Sequence, residues 1–145
     1  MLIEVSGDID RPRQVVFRFY ADEHVQNHPR WDPDIDLWMD QDAPIRVGTI
    51  IRRRNRRWGT PIEGTMEVVE YEPDRSLAMV TREGAMEIHG RAVFDDSGEG
   101  GTRLTISADM PIDESMRDAV TGMIERSLQN IKQLVEAETA PTEVA

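Results

Sequence analysis

Residues 52–68, RRRNRRWGTPIEGTMEV, are the stretch that decides the fold. Gly59-Thr60 is a turn signal, so we expect the residues on either side of it to pair as an antiparallel hairpin. Opposite charges that face each other across two strands stabilise a sheet. Two such pairs cross this predicted hairpin, Arg52 with Glu67 and Arg56 with Glu63.

The alternate residues of the same hairpin point to its other face, because side chains alternate along a strand. That face is largely apolar but contains Arg53 and Asn55. A charged group in an apolar interior is costly unless it is paired or hydrated. We therefore predict a lined cavity rather than a solid core. The expected facing pairs are Ile51 with Val68, Arg53 with Met66, and Asn55 with Gly64.

The composition is that of one globular domain. The chain has 145 residues, a formal net charge of -11 and no cysteine, which excludes disulfides and thiolate chemistry. No apolar run approaches the roughly 18 residues of a membrane span. The acidic charge argues against nucleic acid as a partner, because the one basic stripe has acidic partners of its own. The N-terminus lacks a signal sequence, so we expect a cytoplasmic protein.

Strand patterns fill the middle of the chain, and helical patterns occupy both ends. A helix opens at 10–12 and carries Val16, Phe17 and Tyr20 on its apolar face, and a short second helix lies within 23–33. Asp113 is the expected N-cap of a long helix over 114–137. The predicted strands are 2–6, 35–39, 46–57, 62–71, 76–82, 86–94 and 102–110.

Four hairpin registers agree on one inward, apolar face. Pairing about Pro73-Asp74, about Glu83-Gly84 and across the loop 95–101 extends the first hairpin into a continuous sheet. The opposite face carries charged residues and is the solvent side. The expected inner rows are Ile51–Val68–Met79–Ile88–Ala108 and Arg53–Met66–Thr81–Met86–Met110.

The order of elements predicts an α+β fold. A seven-stranded antiparallel sheet would curve around the long C-terminal helix, with two short helices after the first strand. We expect a single domain over 1–137 and a flexible tail over 138–145.

Several segments resemble the polyketide cyclase/dehydrase branch of the START-like (SRPBCC) superfamily. They are Ile9 to Phe17, Trp31-Asp32-Pro33, Val47-Gly48-Thr49 and Gly101 to Leu104, and the resemblance extends over residues 2 to about 137. It implies the helix-grip fold, with a deep cavity between sheet and long helix that binds lipids, polyketides, sterols or other apolar molecules. Some members are cyclases or aromatases and others only carry ligands, so no catalytic residue is transferred.

The candidate ligand site follows from the inner rows. Arg53 could orient a carboxylate, phenolate or carbonyl, with Asn55 or Thr81 as further polar groups. Methionine is an adaptable lining residue as well as an ordinary core residue. Trp58 at the hairpin tip could be a lid over the cavity or an exposed contact residue. The predicted lining is Arg53, Asn55, Met66, Met79, Thr81, Met86, Ile88, Met110, Val120, Met123 and Ile124.

The histidines carry no predicted site. The register places His89 on the outer face, where it cannot serve as a base for a bound substrate. His24, His28 and Asp32 have the spacing of ligands on one helix face, but Pro29 argues against a helix there. We therefore expect no metal and no cofactor.

The leading hypothesis is binding of a small apolar molecule between sheet and helix. An alternative is a polyketide cyclase or aromatase that acts on a ligand in the same cavity, which would need an inward acid or base. A third is a protein-binding module that uses a sheet edge or Trp58, and a homodimer is a further partner to consider.

Overall fold

The computed structural model describes residues 1–141, and the last four residues of the predicted tail lie outside them. Helix α1, Arg13–Phe17, continues directly into a π-helical turn, Arg18–Asp22. Helix α3, Arg117–Glu138, follows a 3-10 turn, Glu114–Met116, which Asp113 caps through the backbone N–H of Ser115. The strands are β1 Leu2–Ile9, β2 Ile35–Trp38, β3 Ile50–Asn55, β4 Ile62–Glu72, β5 Ser76–Glu83, β6 Met86–Gly98 and β7 Gly101–Asp109; the helices are α1 Arg13–Phe17, α2 His24–Trp31 and α3 Arg117–Glu138.

The seven strands form one antiparallel sheet in the order β1-β7-β6-β5-β4-β3-β2. β1 closes one edge beside the last strand, and α3 packs across it. This confirms the helix-grip fold. No helix within residues 1–141 is long and apolar enough to cross a membrane.

The predicted faces are correct, but three of the four predicted hairpin registers are wrong. Arg53 lies opposite Gly64 rather than Met66, Thr81 opposite Ile88 rather than Met86, and Ala108 opposite Gly90 rather than Ile88. Only β4 and β5 pair as expected, with Met66 opposite Thr81 and Val68 opposite Met79.

Each wrong register is displaced by two residues. Such a shift returns every side chain to the same face, so the alternating pattern cannot detect it. The turns determine the register instead. The β5–β6 turn, for example, is Gly84-Ala85 and not Glu83-Gly84, with Gly84 at φ 57°.

The charge pairs on the outer face change with the register. Arg52 pairs with Asp40 and Arg56 with Asp36, so the predicted Arg52–Glu67 and Arg56–Glu63 pairs are wrong. The basic run is still neutralised by carboxylates, since Arg54 pairs with Glu63.

The observed inner face has three rows that matter for a site. They are Arg53–Gly64–Glu83, Ile51–Met66–Thr81–Ile88, and Val68–Met79–Gly90–Ala108.

The long helix α3 is anchored mainly at its C-terminal end. Its buried residues are Leu128, Ile131 and Val135, and no residue of 117–127 is buried. Arg11 donates to the carbonyls of Glu136 and Thr139, which satisfies acceptors left over at a helix end.

Glu138, at the end of α3, is also tied down, because it pairs with Arg30. The helix therefore extends one residue into the predicted tail, and the flexibility of the rest stays a prediction.

Candidate functional site

A buried ion pair lies on the inner face of the sheet. Arg53 of β3 and Glu83 of β5 are each 9% exposed, and Arg53 Nε is 2.6 Å from Glu83 Oε1. The N–H is not aimed at that oxygen, so neither atom has a hydrogen bond within residues 1–141. Attraction between the two charges therefore holds the contact, and burial strengthens that attraction.

Gly64 makes this contact geometrically feasible. It lies on β4 between the two charged residues and contributes no side chain to their row. A Cβ at position 64 would lie 2.2 Å from the backbone oxygen of Arg82 and 2.9 Å from Glu83 Cγ. Only glycine leaves room for the carboxylate to reach across the middle strand.

A hydrogen-bond network holds the Glu83 side of the pair. Asn55 Nδ2 donates to Glu83 Oε2 at 3.4 Å, and Asn55 Oδ1 accepts from the backbone N–H of Arg57 at 3.0 Å. Arg57 in turn donates to both carboxylate oxygens of Asp32, at 2.6 and 2.7 Å. The structure thus uses both ends of the Asn55 amide internally.

The far end of Arg53 is unused. Its Nη1 and Nη2 atoms make no hydrogen bond within residues 1–141, and both retain accessible surface. Burial lowers the pKa of the guanidinium and Glu83 raises it again, but arginine stays charged at neutral pH. The sheet therefore presents a fixed cation with four N–H donors to spare.

An aromatic cluster on α2 forms a second polar region whose electrostatics are coupled to Arg53. His24 Nδ1 lies 2.7 Å from the Tyr20 carbonyl oxygen, and His24 Nε2 lies 2.9 Å from His28 Nδ1. Trp31 is stacked between Tyr20 and His28, with ring centroids 5.1 Å apart on both sides.

Both histidines are held neutral. Burial lowers the pKa of His24 to about 4; the hydrogen bond to Tyr20 opposes this and the charge of Arg53 adds to it. Burial is the main cause that holds the pKa of His28 well below its usual value. The electrostatic effects of His24, Arg53 and Arg57 add to it. The His28 ring is packed by protein atoms but keeps part of its surface accessible.

Pro29 lies inside α2, contrary to the expectation that it would prevent a helix there. It removes one backbone hydrogen bond, and packing of the aromatic face offsets that cost. His24 and His28 therefore do share a face. Asp32 pairs with Arg57 instead of joining them, and no group of three metal-ligating side chains occurs within residues 1–141.

The other predicted lining residues and the possible lid, Trp58, fall into three classes of exposure. Met66 and Thr81 are buried in the centre of the sheet. Met86 and Trp58 are exposed, by 38% and 63%, at the ends of their hairpins. The remaining residues are half-buried, namely Met79, Ile88, Met110, Val120, Met123 and Ile124.

Gly90 lies on the inner face of the sheet without a side chain close to it. It faces inward between Met79 and Ala108, and a Cβ at this position would meet only two backbone oxygens within 4 Å, both at 3.9 Å. At the β1 edge, a cleft of about 350 Å³ lies between β1 and α3 and is lined partly by Val5 and Leu128.

His89 faces solvent, as predicted from the alternation. Its side chain is exposed and its Nε2 lies 2.9 Å from Glu87 Oε1 on the same face.

Sequence reasoning missed Glu83 and dismissed the two helix histidines. The turn signal Glu83-Gly84 places Glu83 in a turn, although the residue continues the inward alternation of Leu77, Met79 and Thr81. The glycine at 64 was the other available signal, because an inward glycine beside an inward arginine leaves room for a partner.

The sequence matches the family described as polyketide cyclase / dehydrase and lipid transport over residues 2–136, whereas no curated protein matches it. Solved structures share the fold. Ara h 8.0201 is 10% identical with a TM-score of 0.76, over 95% of this chain and 99% of the other. Protein CV1439 from Chromobacterium violaceum is 18% identical with a TM-score of 0.74, over 93% and 97%.

DynU16, from the dynemicin biosynthetic locus, is 17% identical with a TM-score of 0.70. The match covers 93% of this chain and 47% of DynU16. At such identities the likeness establishes the fold alone.

Proposed function

We propose that this chain, which belongs to the polyketide cyclase / dehydrase and lipid transport family, binds a small, mainly apolar ligand between the sheet and α3. The ligand carries an anionic or phenolic oxygen at one end. Arg53 binds that oxygen, and the half-buried apolar residues surround the rest.

The observation that carries this proposal is the state of Arg53. Its Nε is held by Glu83, while its Nη1 and Nη2 groups have no partner within residues 1–141. Both groups keep accessible surface, and a planar guanidinium matches an oxyanion bidentately. A ligand oxygen would satisfy donors that the fold leaves unsatisfied.

The apolar part of the ligand would lie over Gly90. Met79, Met110 and Met123 are only half-buried, so covering them removes further apolar surface from water. Flexible methionine side chains adapt to ligands of different shape. This favours a broad range of apolar groups with a fixed polar end.

Binding of 2-naphthoate, an aromatic carboxylate, tests the proposal by titration calorimetry. Arg53 cannot be neutralised alone without leaving Glu83 unpaired, so the variant is Arg53→Gln with Glu83→Gln. We expect its affinity to fall by about 1.5–3 kcal/mol, the range for a hydrogen bond to a charged group.

Arg54→Gln is the matched control, because Arg54 is the next residue on β3 and pairs with Glu63 on the outer face. It should bind like the wild type. Equal affinity in the double variant would show that Arg53 does not anchor the ligand.

A second candidate function, catalysis of the cyclase or dehydrase type, is favoured by Glu83. Such an enzyme needs an inward acid or base, and Glu83 is a buried carboxylate beside a cation. The site would orient a folded ligand and stabilise an enolate. Turnover of a synthetic poly-β-ketone thioester that is lost in Glu83→Gln, without loss of binding, would support catalysis.

A further inference from the structure

The two histidines of α2 form a hydrogen-bond chain with one direction. The carbonyl oxygen of Tyr20 can only accept, so the nitrogen 2.7 Å from it, His24 Nδ1, carries a hydrogen. Neutral imidazole has one N–H, so His24 Nε2 is an acceptor. The nitrogen 2.9 Å from it, His28 Nδ1, must then be the donor.

This chain of hydrogen bonds leaves the free lone pair of the His28 ring on Nε2. Neutrality of both rings is what fixes the direction, and burial among cations enforces it. No donor within residues 1–141 reaches His28 Nε2, and the atom retains accessible surface. An acceptor with a defined position is thus unsatisfied by the fold.

The ring itself is held in place. His28 stacks on Trp31 with an angle of 13° between planes, and Asn130 of α3 donates to the Trp31 carbonyl oxygen at 3.1 Å. A ring fixed by stacking and by one hydrogen bond presents its remaining nitrogen at little entropic cost on binding.

Two ion pairs act on His28. Arg53 of β3 pairs with Glu83, and Arg57 after β3 pairs with Asp32. Burial is the main reason that the His28 ring stays neutral, and the charges of Arg53 and Arg57 and the neighbouring His24 add to it. His28 is thus a neutral acceptor on which the charge of Arg53, the proposed ligand anchor, acts.

We infer that His28 determines specificity: its Nε2 accepts a hydrogen bond from a hydroxyl of the ligand. The inference rests on the proposed function, since it concerns the ligand that Arg53 anchors. The class selected is an apolar anion that also carries a phenolic or alcoholic hydroxyl. A ligand with an ether or a second carbonyl at that position would oppose two acceptors and bind less well.

The tautomers can be measured without a ligand. Long-range ¹H–¹⁵N correlation spectra at pH 7 should show both His24 and His28 protonated at Nδ1 and unprotonated at Nε2. A protonated Nε2 on His28 would overturn the inference, because that nitrogen would then be a donor.

Ligand selection is tested with naphthoates that differ in one group. The probes are 2-naphthoate and its 3-, 6- and 7-hydroxy and methoxy derivatives. We expect at least one hydroxy isomer to bind about tenfold more tightly than its methoxy counterpart, the effect of one hydrogen bond to a fixed acceptor. His28→Phe keeps an aromatic ring against Trp31, and this ratio should fall to about one.

His89→Phe is the control for loss of a histidine, because His89 lies on the outer face, and it should keep the tenfold ratio. The inference would be overturned if every hydroxy isomer bound the wild type no more tightly than its methoxy counterpart. It would also be overturned if the affinity ratio were unchanged in His28→Phe. Either result would leave the proposed function standing. Failure of every naphthoate to bind the wild type would contradict the proposed function itself.

Discussion

Arg53 and Glu83 stabilise each other in a place where neither would be tolerated alone. An Arg53 without a partner could be replaced by methionine with the fold intact or strengthened, because an uncompensated buried charge would be removed. The observed ion pair reverses that expectation, since the substitution would strand a buried carboxylate.

We therefore predict that Arg53→Met lowers the free energy of unfolding by about 3–5 kcal/mol. Arg53→Met combined with Glu83→Met should recover most of the loss, because a buried pair can often be replaced by apolar residues. Chemical denaturation of the single and double variants measures both the loss of unfolding free energy and its recovery. A double variant as unstable as the single one would show that the pair itself is needed.

His24 should make stability depend on pH. Its pKa is lowered to about 4 in the folded protein, against about 6.5 in an unfolded chain. Between these values the unfolded state binds the proton first, so stability is complete above about pH 6.5 and falls as the pH drops towards 4. The loss from this group is on the order of 3 kcal/mol.

Denaturation curves at several pH values between 7 and 4 check this prediction. The pH dependence should be smaller in His24→Phe than in the wild type, whereas His89→Phe should retain it. Carboxylates titrate in all three proteins, so the difference between them isolates the buried ring. Parallel curves for His24→Phe and the wild type would contradict the assignment.

At the scale of the elements, two inward glycines of the sheet have opposite roles. Gly64 excludes a Cβ because of the Arg82 backbone, while Gly90 has space for one. We predict that Gly64→Ala destabilises by about 1–3 kcal/mol, the usual cost of overpacking. Gly90→Ala should be neutral or stabilise by up to about 1 kcal/mol, since a side chain restricts the unfolded chain.

Larger residues at position 90 extend the comparison to binding. Gly90→Leu should fold and should weaken 2-naphthoate by tenfold or more, because the side chain occupies the proposed ligand space. Thermal melts and calorimetry report the two effects separately. Undiminished affinity in Gly90→Leu would place the ligand elsewhere.

The strands also show what sequence reasoning can and cannot determine. Alternation of Ile51, Arg53 and Asn55 correctly predicted their facing, because a one-residue error would expose the core. It could not separate registers two residues apart, so Glu83 was not placed in the row of Arg53. The choice depended on whether Gly84 is the first or the second residue of the β5–β6 turn, and both positions satisfy the local turn preferences.

At the scale of the whole molecule, the element order predicted a seven-stranded sheet around a long C-terminal helix, and the family resemblance implied the helix-grip fold. The site could not be predicted in this way, because its parts come from α2, β3 and β5 and meet only through tertiary packing. Pro29 illustrates the difference, since its local preference against a helix is overridden by the aromatic face that packs below it.

The uneven anchoring of α3 has a consequence for the timing of ligand exchange. Residues 117–127 contribute no buried side chain, and Gly122 lies in the middle of them. Local opening of this half would be the least costly route to the interior, so opening would limit arrival and departure alike. Gly122→Ala raises the cost of opening by about 1 kcal/mol.

Stopped-flow mixing with 2-naphthoate should therefore show association and dissociation slowed together by roughly fivefold in Gly122→Ala, with an almost unchanged Kd. A change in only one of the two rates would mean that the ligand enters by another path. If association and dissociation both become slower, the first turns of α3 determine how long a ligand stays bound, while Arg53 determines how tightly it binds.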